Sequence, residues 1–315
     1  MPTPAPTTRT PPTVATPTIR EERVFFAIGL RLAAMLTLAM MFALVKLVNA
    51  RGVHLGEALF YRQAFALPIV FAWICMTQGA KSVRTGRIGL HLSRTALGLL
   101  GMIFNFGSFI LLPLTEATTI GFSMPIFATI LSAILLKEAT GIHRWAAVLI
   151  GFLGVLVMVR PDASHFPLLG VAVALVAAIL TASISLLLRT LGRTEGAAVT
   201  VFWFTVLSMP PLGITMLFVG QSHDPLTWGL LALMGITGGI AQLFMTGALR
   251  WAPVSVVLPM DYSSILWATV FGWLVWNDWP VVSTWIGAAL IVSSGLYIAW
   301  REHVRLRTNR EVVIQ

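Results

Sequence analysis

Apolar residues run along this chain in ten stretches, each near the ~20 residues a helix needs to cross the hydrocarbon core of a bilayer. The pattern predicts spans over residues 24–48, 56–76, 92–112, 117–137, 143–160, 168–190, 197–219, 227–249, 253–276 and 281–300. Each is read as helix, because an unpaired strand leaves its backbone groups unsatisfied in lipid. Short intervals between the spans hold most of the charge, and little sequence is left for anything outside the membrane.

Basic residues fix a direction. With the N-terminus inside, the cytoplasmic segments carry fifteen Lys and Arg, from Arg9 to Arg310, and the outer loops carry only Arg51 and Arg160. That alternation holds through all ten spans and predicts both termini inside. Composition agrees: 57% of residues are hydrophobic and 10% charged, against about 25% charged in a soluble domain. The net charge of +9 is scattered singly between apolar runs, so no nucleic-acid surface is expected. Residues 1–23 and 302–315 read as cytoplasmic tails, the first 18 residues being too rich in Pro and Thr to fold; the apolar run after them is too long for a secretory leader and lacks a small-residue cleavage site. Cys75 is the only cysteine, which excludes an internal disulfide and a cysteine metal cluster. No metal or other cofactor is expected.

The two halves echo each other. Lys46 and Pro68 match Arg189 and Pro211 at an offset of 143, and Gly101 and Asn105 match Gly238 and Gln242 at 137. Glu138 and Trp145 match Asp278 and Trp285 at 140. Two five-helix repeats follow, 24–161 and 168–301. Five being odd, the second enters the membrane from the opposite side. The fold class expected is therefore all-α integral membrane, ten transmembrane helices as two inverted five-helix repeats.

Residues 112–161 read LPLTEATTIGFSMPIFATILSAILLKEATGIHRWAAVLIGFLGVLVMVRP. The second half holds LPMDYSSILWATVFGWLVWNDWP and WIGAALIVSSGLYIAWR. Both resemble the ten-helix EamA branch of the drug/metabolite transporter superfamily. Shared features are a mid-helix proline or polar kink, an acidic residue at the helix end, and a Gly-rich helix after it. The resemblance covers residues 24–301 and implies a multi-pass transporter of the bacterial inner membrane. PMDYSSILWA looks closest to members that carry S-adenosylmethionine or riboflavin; others export amino acids. Two positions depart from the pattern. Asp278 stands where glutamate is usual, and Ile265 stands where the first repeat has Pro125, so the ninth span is expected to be straighter than the fourth.

Several polar side chains fall inside the spans. Asp261 lies eight residues into the ninth, about 12 Å deep at ~1.5 Å per residue. An ionised group there should face a cavity or a basic partner. It is the candidate for coupling and for a substrate contact, with an ion pair locking helices as the rival reading. Lys46 and Arg62 could line an outward vestibule, Lys46 alternatively snorkelling and Arg62 pairing with Glu57. Arg31 and Arg94 read as anchors near the cytoplasmic surface. Asn105 and Gln242 could orient a polar substrate or join helices. Phe122, Met124 and Pro125 in the fourth span, with Tyr262, Ser264 and Trp267 in the ninth, could form an aromatic pocket, Pro125 as a structural kink. Gly235 and Gly239 form a GxxxG packing surface.

The function these features favour is a secondary carrier for a small amphipathic metabolite, amino-acid-like, nucleoside-like or vitamin-like. It would work by alternating access, coupled to protons or to exchange. No GxxxxGK[ST] segment occurs, which argues against direct use of ATP. An intramembrane enzyme would want a catalytic cluster at membrane depth, and a channel a filter or charged ring. Neither is visible. Expected partners are a small-molecule substrate and the bilayer, with homo-oligomerisation left open.

Overall fold

The computed structural model describes residues 21–135, 142–159, 167–191, 196–251 and 257–314. They form helical rods, with no strand among the described residues. In chain order they are α1 (Glu21–Ala50), α2 (Leu55–Thr77), α3 (Ile88–Leu111), α4 (Leu114–Gly121), α5 (Met124–Leu135) and α6 (Ile142–Val159). The second half holds α7 (Leu168–Leu191), α8 (Ala197–Val219), α9 (Pro225–Trp251), α10 (Ser263–Trp276) and α11 (Val282–Ile314). Helices α4 and α5 are two pieces of one rod, so ten rods stand where ten spans are expected. Seven of them are both long and apolar enough to cross a bilayer, and shorter apolar segments cover Trp145–Met158 and Val282–Ile298. Helix α11 runs past the expected end of the tenth span. Glu138 lies outside the described residues.

Lipid explains the outer surface. Leu217 and Phe218 are 82% and 83% exposed, and Leu149, Leu153, Leu156 and Leu274 also face outward. Apolar exposure on this scale is unstable in water and neutral against acyl chains. Inside, one cluster joins Met41, Leu44, Val48, Leu59, Phe106 and Leu231 from α1, α2, α3 and α9. Another joins Leu114, Ile120, Met158, Ala174 and Ile291.

The main contacts between halves come in matched pairs. Helix α1 packs on α9 and α3 on α7; α2 packs on α9 and α3 on α8; α1 packs on α10 and α7 on α4 and α5. Three further pairs, α2 with α8, α4 with α10 and α6 with α11, are their own counterparts. Exchanging each rod for the one five places away in the ten-rod order reproduces this list.

Glycine sets two close approaches. A Cβ on Gly235 would sit 3.0 Å from the Tyr61 carbonyl oxygen, and one on Gly239 would sit 3.3 Å from Ala66 Cα. The expected GxxxG surface is thus where α9 lies against α2. Helices α6 and α11 meet through Gly154 and Gly287, each within 3 Å of the other's carbonyl oxygen once a Cβ is added.

The ninth span differs from expectation. Its described part holds a 3-10 turn over Leu258–Tyr262, after which α10 begins. Ile265 was expected to keep this span straighter than the fourth. Pro259, in the first turn of the 3-10 segment, supplies the missing disruption by removing a backbone donor. The fourth span breaks at Phe122–Ser123, between α4 and α5. Phe122 in the first break and Tyr262 at the end of the 3-10 turn lie 140 residues apart, the offset that relates Glu138 to Asp278.

Candidate functional site

Two polar centres lie within the bundle. The first surrounds the helix breaks. Phe122 and Tyr262 face each other with ring centroids 4.7 Å apart and planes inclined by 38°. These two residues, expected to line an aromatic pocket, are in direct contact with each other. Gly295 of α11 gives the contact room, since a Cβ there would lie 2.5 Å from Tyr262 Oη. Ser264 Oγ donates to the Asp261 carbonyl at 2.8 Å, while buried Ser263 Oγ and Trp267 Nε1 have no hydrogen-bond partner. Met124 starts α5 and is partly buried, with Pro125 beside it.

Asp261 sits in the 3-10 turn and meets a basic partner. Arg31 Nε donates to Oδ1 at 2.5 Å and Nη2 to Oδ2 at 2.6 Å, a two-pronged pair. Arg31 is 4% exposed, and its Nη1 also reaches the Met245 carbonyl of α9 at 3.4 Å. The pair thus ties α1, α9 and the 3-10 turn together. Arg31 is a buried helix-joining group, and its long side chain carries the charge inward from a position that counts as interfacial by sequence.

The second centre is a small cavity bounded by α2, α3, α8 and α9, with Arg62, Gln63, Arg94, Phe204, Thr205 and Gln242 on its walls. The space open to water centres is ≈ 30 Å³, enough for about two waters. Arg62 is 7% exposed and its Nη1 donates to Gln63 Oε1 at 2.7 Å. Gln63 Nε2 in turn donates to Ser208 Oγ at 2.8 Å. The Arg94 guanidinium lies 4.2 Å over the Phe204 ring. Gln242 and Met245 are three residues apart on α9, a rise of about 4.5 Å, so the two centres are neighbours along that helix.

The structure brings Arg62 and Gln242 together, and Phe122 with Tyr262. It does not bring in Asn105, which is absent from the cavity wall. The expected Arg62–Glu57 pair does not form. Five residues turn a helix by about 500°, which leaves the two side chains on different faces. Glu57 Oε1 instead meets His223 Nε2 at 2.8 Å. Lys46 Nζ donates to the Leu112 carbonyl at 3.0 Å, at the C-terminal end of α3, and lies 5.2 Å from the Trp276 ring centroid. Glu116 accepts from Thr284 at 3.0 Å. Sequence reasoning missed Gln63 and Phe204 and read Arg94 as an anchor. The available signal was Gly98, one turn after Arg94, where any Cβ would collide with the guanidinium and the Phe204 ring.

Multiple apolar spans around buried polar groups define an integral membrane protein with a polar interior. The family comparison agrees: the EamA-like transporter family model matches residues 25–160 and 168–300. The chain belongs to that family, and it is a multi-pass inner-membrane transporter, not an enzyme. It is 28% identical to a riboflavin transporter of Vibrio cholerae, over 88% of this chain and 95% of that protein. It is 24% identical to an S-adenosylmethionine uptake transporter of Rickettsia prowazekii, over 82% of this chain and 87% of that protein. A pseudopaline exporter of Pseudomonas aeruginosa is 26% identical, over 84% of this chain and 92% of that one. A solved crystal structure with 19% identity and a TM-score of 0.57, covering 90% of this chain and 99% of its own, shares the fold.

Proposed function

We propose that the protein is a secondary carrier that moves a small amphipathic metabolite across the inner membrane by alternating access. Its two five-rod halves insert in opposite directions, with both termini in the cytoplasm. The family model matching each half once supports the repeat, as do the matched contacts between halves. The bias of basic residues supports the orientation.

The observation that carries the reading is the pair of irregular helix segments, 122–123 and 258–262, that meet across the interface between halves through Phe122 and Tyr262. A carrier needs irregular backbone and polar groups where the halves rock, and lipid tolerates neither elsewhere. In this scheme Asp261 is the coupling residue. Release of Arg31 from its carboxylate frees the 3-10 turn from α1 and lets that end of the bundle open. Substrate contacts fall to Tyr262, Phe122, Ser264, Trp267, Met124, Arg62 and Gln242. The named cargoes of the relatives, riboflavin, S-adenosylmethionine and pseudopaline, set the panel to try.

Counterflow in proteoliposomes tests this. Vesicles preloaded with unlabelled metabolite should transiently accumulate the labelled form above its external concentration. Simple equilibration without overshoot would indicate a channel and end the reading.

A further inference from the structure

We propose that the cavity between α2, α3, α8 and α9 holds an oxyanion of the transported molecule, a carboxylate or a phosphate, between Arg62 and Arg94. The proposal rests on the carrier reading for the identity of the ligand, though not for its charge.

Several other charged groups among the described residues have a charged partner. Arg31 has Asp261, Arg51 has Asp224, and Glu57 has His223. Lys46 has a carbonyl, with Glu116 and Asp278 near enough to act on its charge. Arg62 and Arg94 stand apart: among the described residues neither has a carboxylate within ion-pair distance. Arg62 Nε, Arg94 Nε and Arg94 Nη1 are buried without a hydrogen-bond partner. The two guanidiniums line the same cavity.

A desolvated cation is tolerated only beside an anion, and two together need one more strongly. The neighbours do not supply it. Gln63 offers Arg62 one neutral oxygen, Met102 Sδ is a weak acceptor at 3.7 Å from Arg62 Nη1, and Phe204 contributes a ring face to Arg94. Gln242 adds an amide to the wall. Paired planar forks of N–H donors match the oxygens of a carboxylate or phosphate. The open volume of ≈ 30 Å³, about two water centres, suits such a head group and not a whole metabolite. The remainder of the solute then lies along α9 toward Met245 and the Arg31–Asp261 pair.

The test uses the purified full-length protein in neutral detergent, at fixed ionic strength with chloride as reference anion. Thermal unfolding is followed as acetate or inorganic phosphate replaces chloride. The melting temperature should rise with either oxyanion. Arg62→Gln and Arg94→Gln should each weaken the apparent affinity tenfold or more, and Arg51→Gln should leave it unchanged. Without oxyanion, Arg94→Gln should melt no lower than the wild type, because it removes an unpaired buried charge. No rise in the wild type, an equal rise in Arg94→Gln, or a rise only when phosphatidylglycerol is added to the micelle would overturn the proposal. Transport separates it from the carrier reading. In counterflow, S-adenosylmethionine against its methyl ester, and riboflavin 5′-phosphate against riboflavin, should favour the member with the free carboxylate or phosphate tenfold, and Arg94→Gln should abolish that preference. Equal transport of both members would refute the anion site and leave the carrier standing. Oxyanion-dependent stabilisation without counterflow of any solute would do the reverse.

Discussion

Replacing Asp261 by Asn tests the ion pair that joins α1 to the 3-10 turn. The substitution keeps the shape of the side chain and removes its charge, leaving Arg31 at 4% exposure with one neutral amide oxygen and the Met245 carbonyl at 3.4 Å in place of a carboxylate. Breaking a buried pair from one side costs about 3–5 kcal/mol, because the remaining charge stays desolvated. The Asp261 side chain keeps 23% of its exposure, so some solvent screening remains and about 3 kcal/mol is the better figure. At roughly 2–4 °C per kcal/mol, the melting temperature should fall by about 6–12 °C. Removing both charges in Arg31→Met with Asp261→Asn should recover most of that loss, since no unpaired ion remains. The assay is thermal unfolding in detergent across the four-member cycle, with counterflow measured on each variant. A coupling residue predicts that the double variant regains stability but not pH-dependent transport. An Asp261→Asn variant that melts with the wild type would refute the pairing argument. Unaltered pH dependence of transport in that variant would remove Asp261 from coupling.

Other outcomes follow from the same geometry. Gly239→Leu should drive a side chain into Ala66 and Ile69 of α2 and destabilise the protein by about 1–3 kcal/mol or more; unchanged melting would mean that α9 does not lie against α2. Tyr262→Ala should lose the 4.7 Å contact with Phe122, and counterflow should show a raised half-saturation concentration more than an altered expression level. Asp224 lies outside the spans, and hydrogen bonds from Thr227 and Arg51 hold its carboxyl down to about 2. A depressed carboxyl contributes above its ordinary value and loses that contribution as pH falls through the lowered one. The difference in melting temperature between wild type and Asp224→Asn should therefore be flat from pH 5 to 8 and shrink only below about pH 4; a difference that changes near neutral pH would assign the effect to another group.

The rods were legible because lipid makes length and apolarity the decisive signals. The fourth-span break was legible too, Pro125 lying next to it. Its partner at 258–262 was hidden, since Ile265 suggested a regular helix and the proline that matters, Pro259, stands six residues earlier. That Asp261 would want a buried partner could be read from its position. Arg31 as that partner could not, because 230 residues separate them in the chain. Arg94 shows the same limit. Hydropathy gives a residue's distance from a helix end, not the direction of its side chain, so a guanidinium six residues into α3 looked interfacial. Packing against Phe204 and over Gly98 turns it toward Arg62.

The most direct test of alternating access is labelling of the cavity from each side of the membrane. Gln242→Cys in a Cys75→Ser background should react with a membrane-impermeant thiol reagent added to either face, as each conformation is visited. A crosslink between Arg51→Cys and Asp224→Cys, which pins the Arg51 loop to the start of α9, should then block labelling from that end and leave the other open. Labelling that persists equally from both faces after the crosslink would mean a continuous pore, and labelling from neither face would mean that the cavity is never exposed; either result would contradict the account.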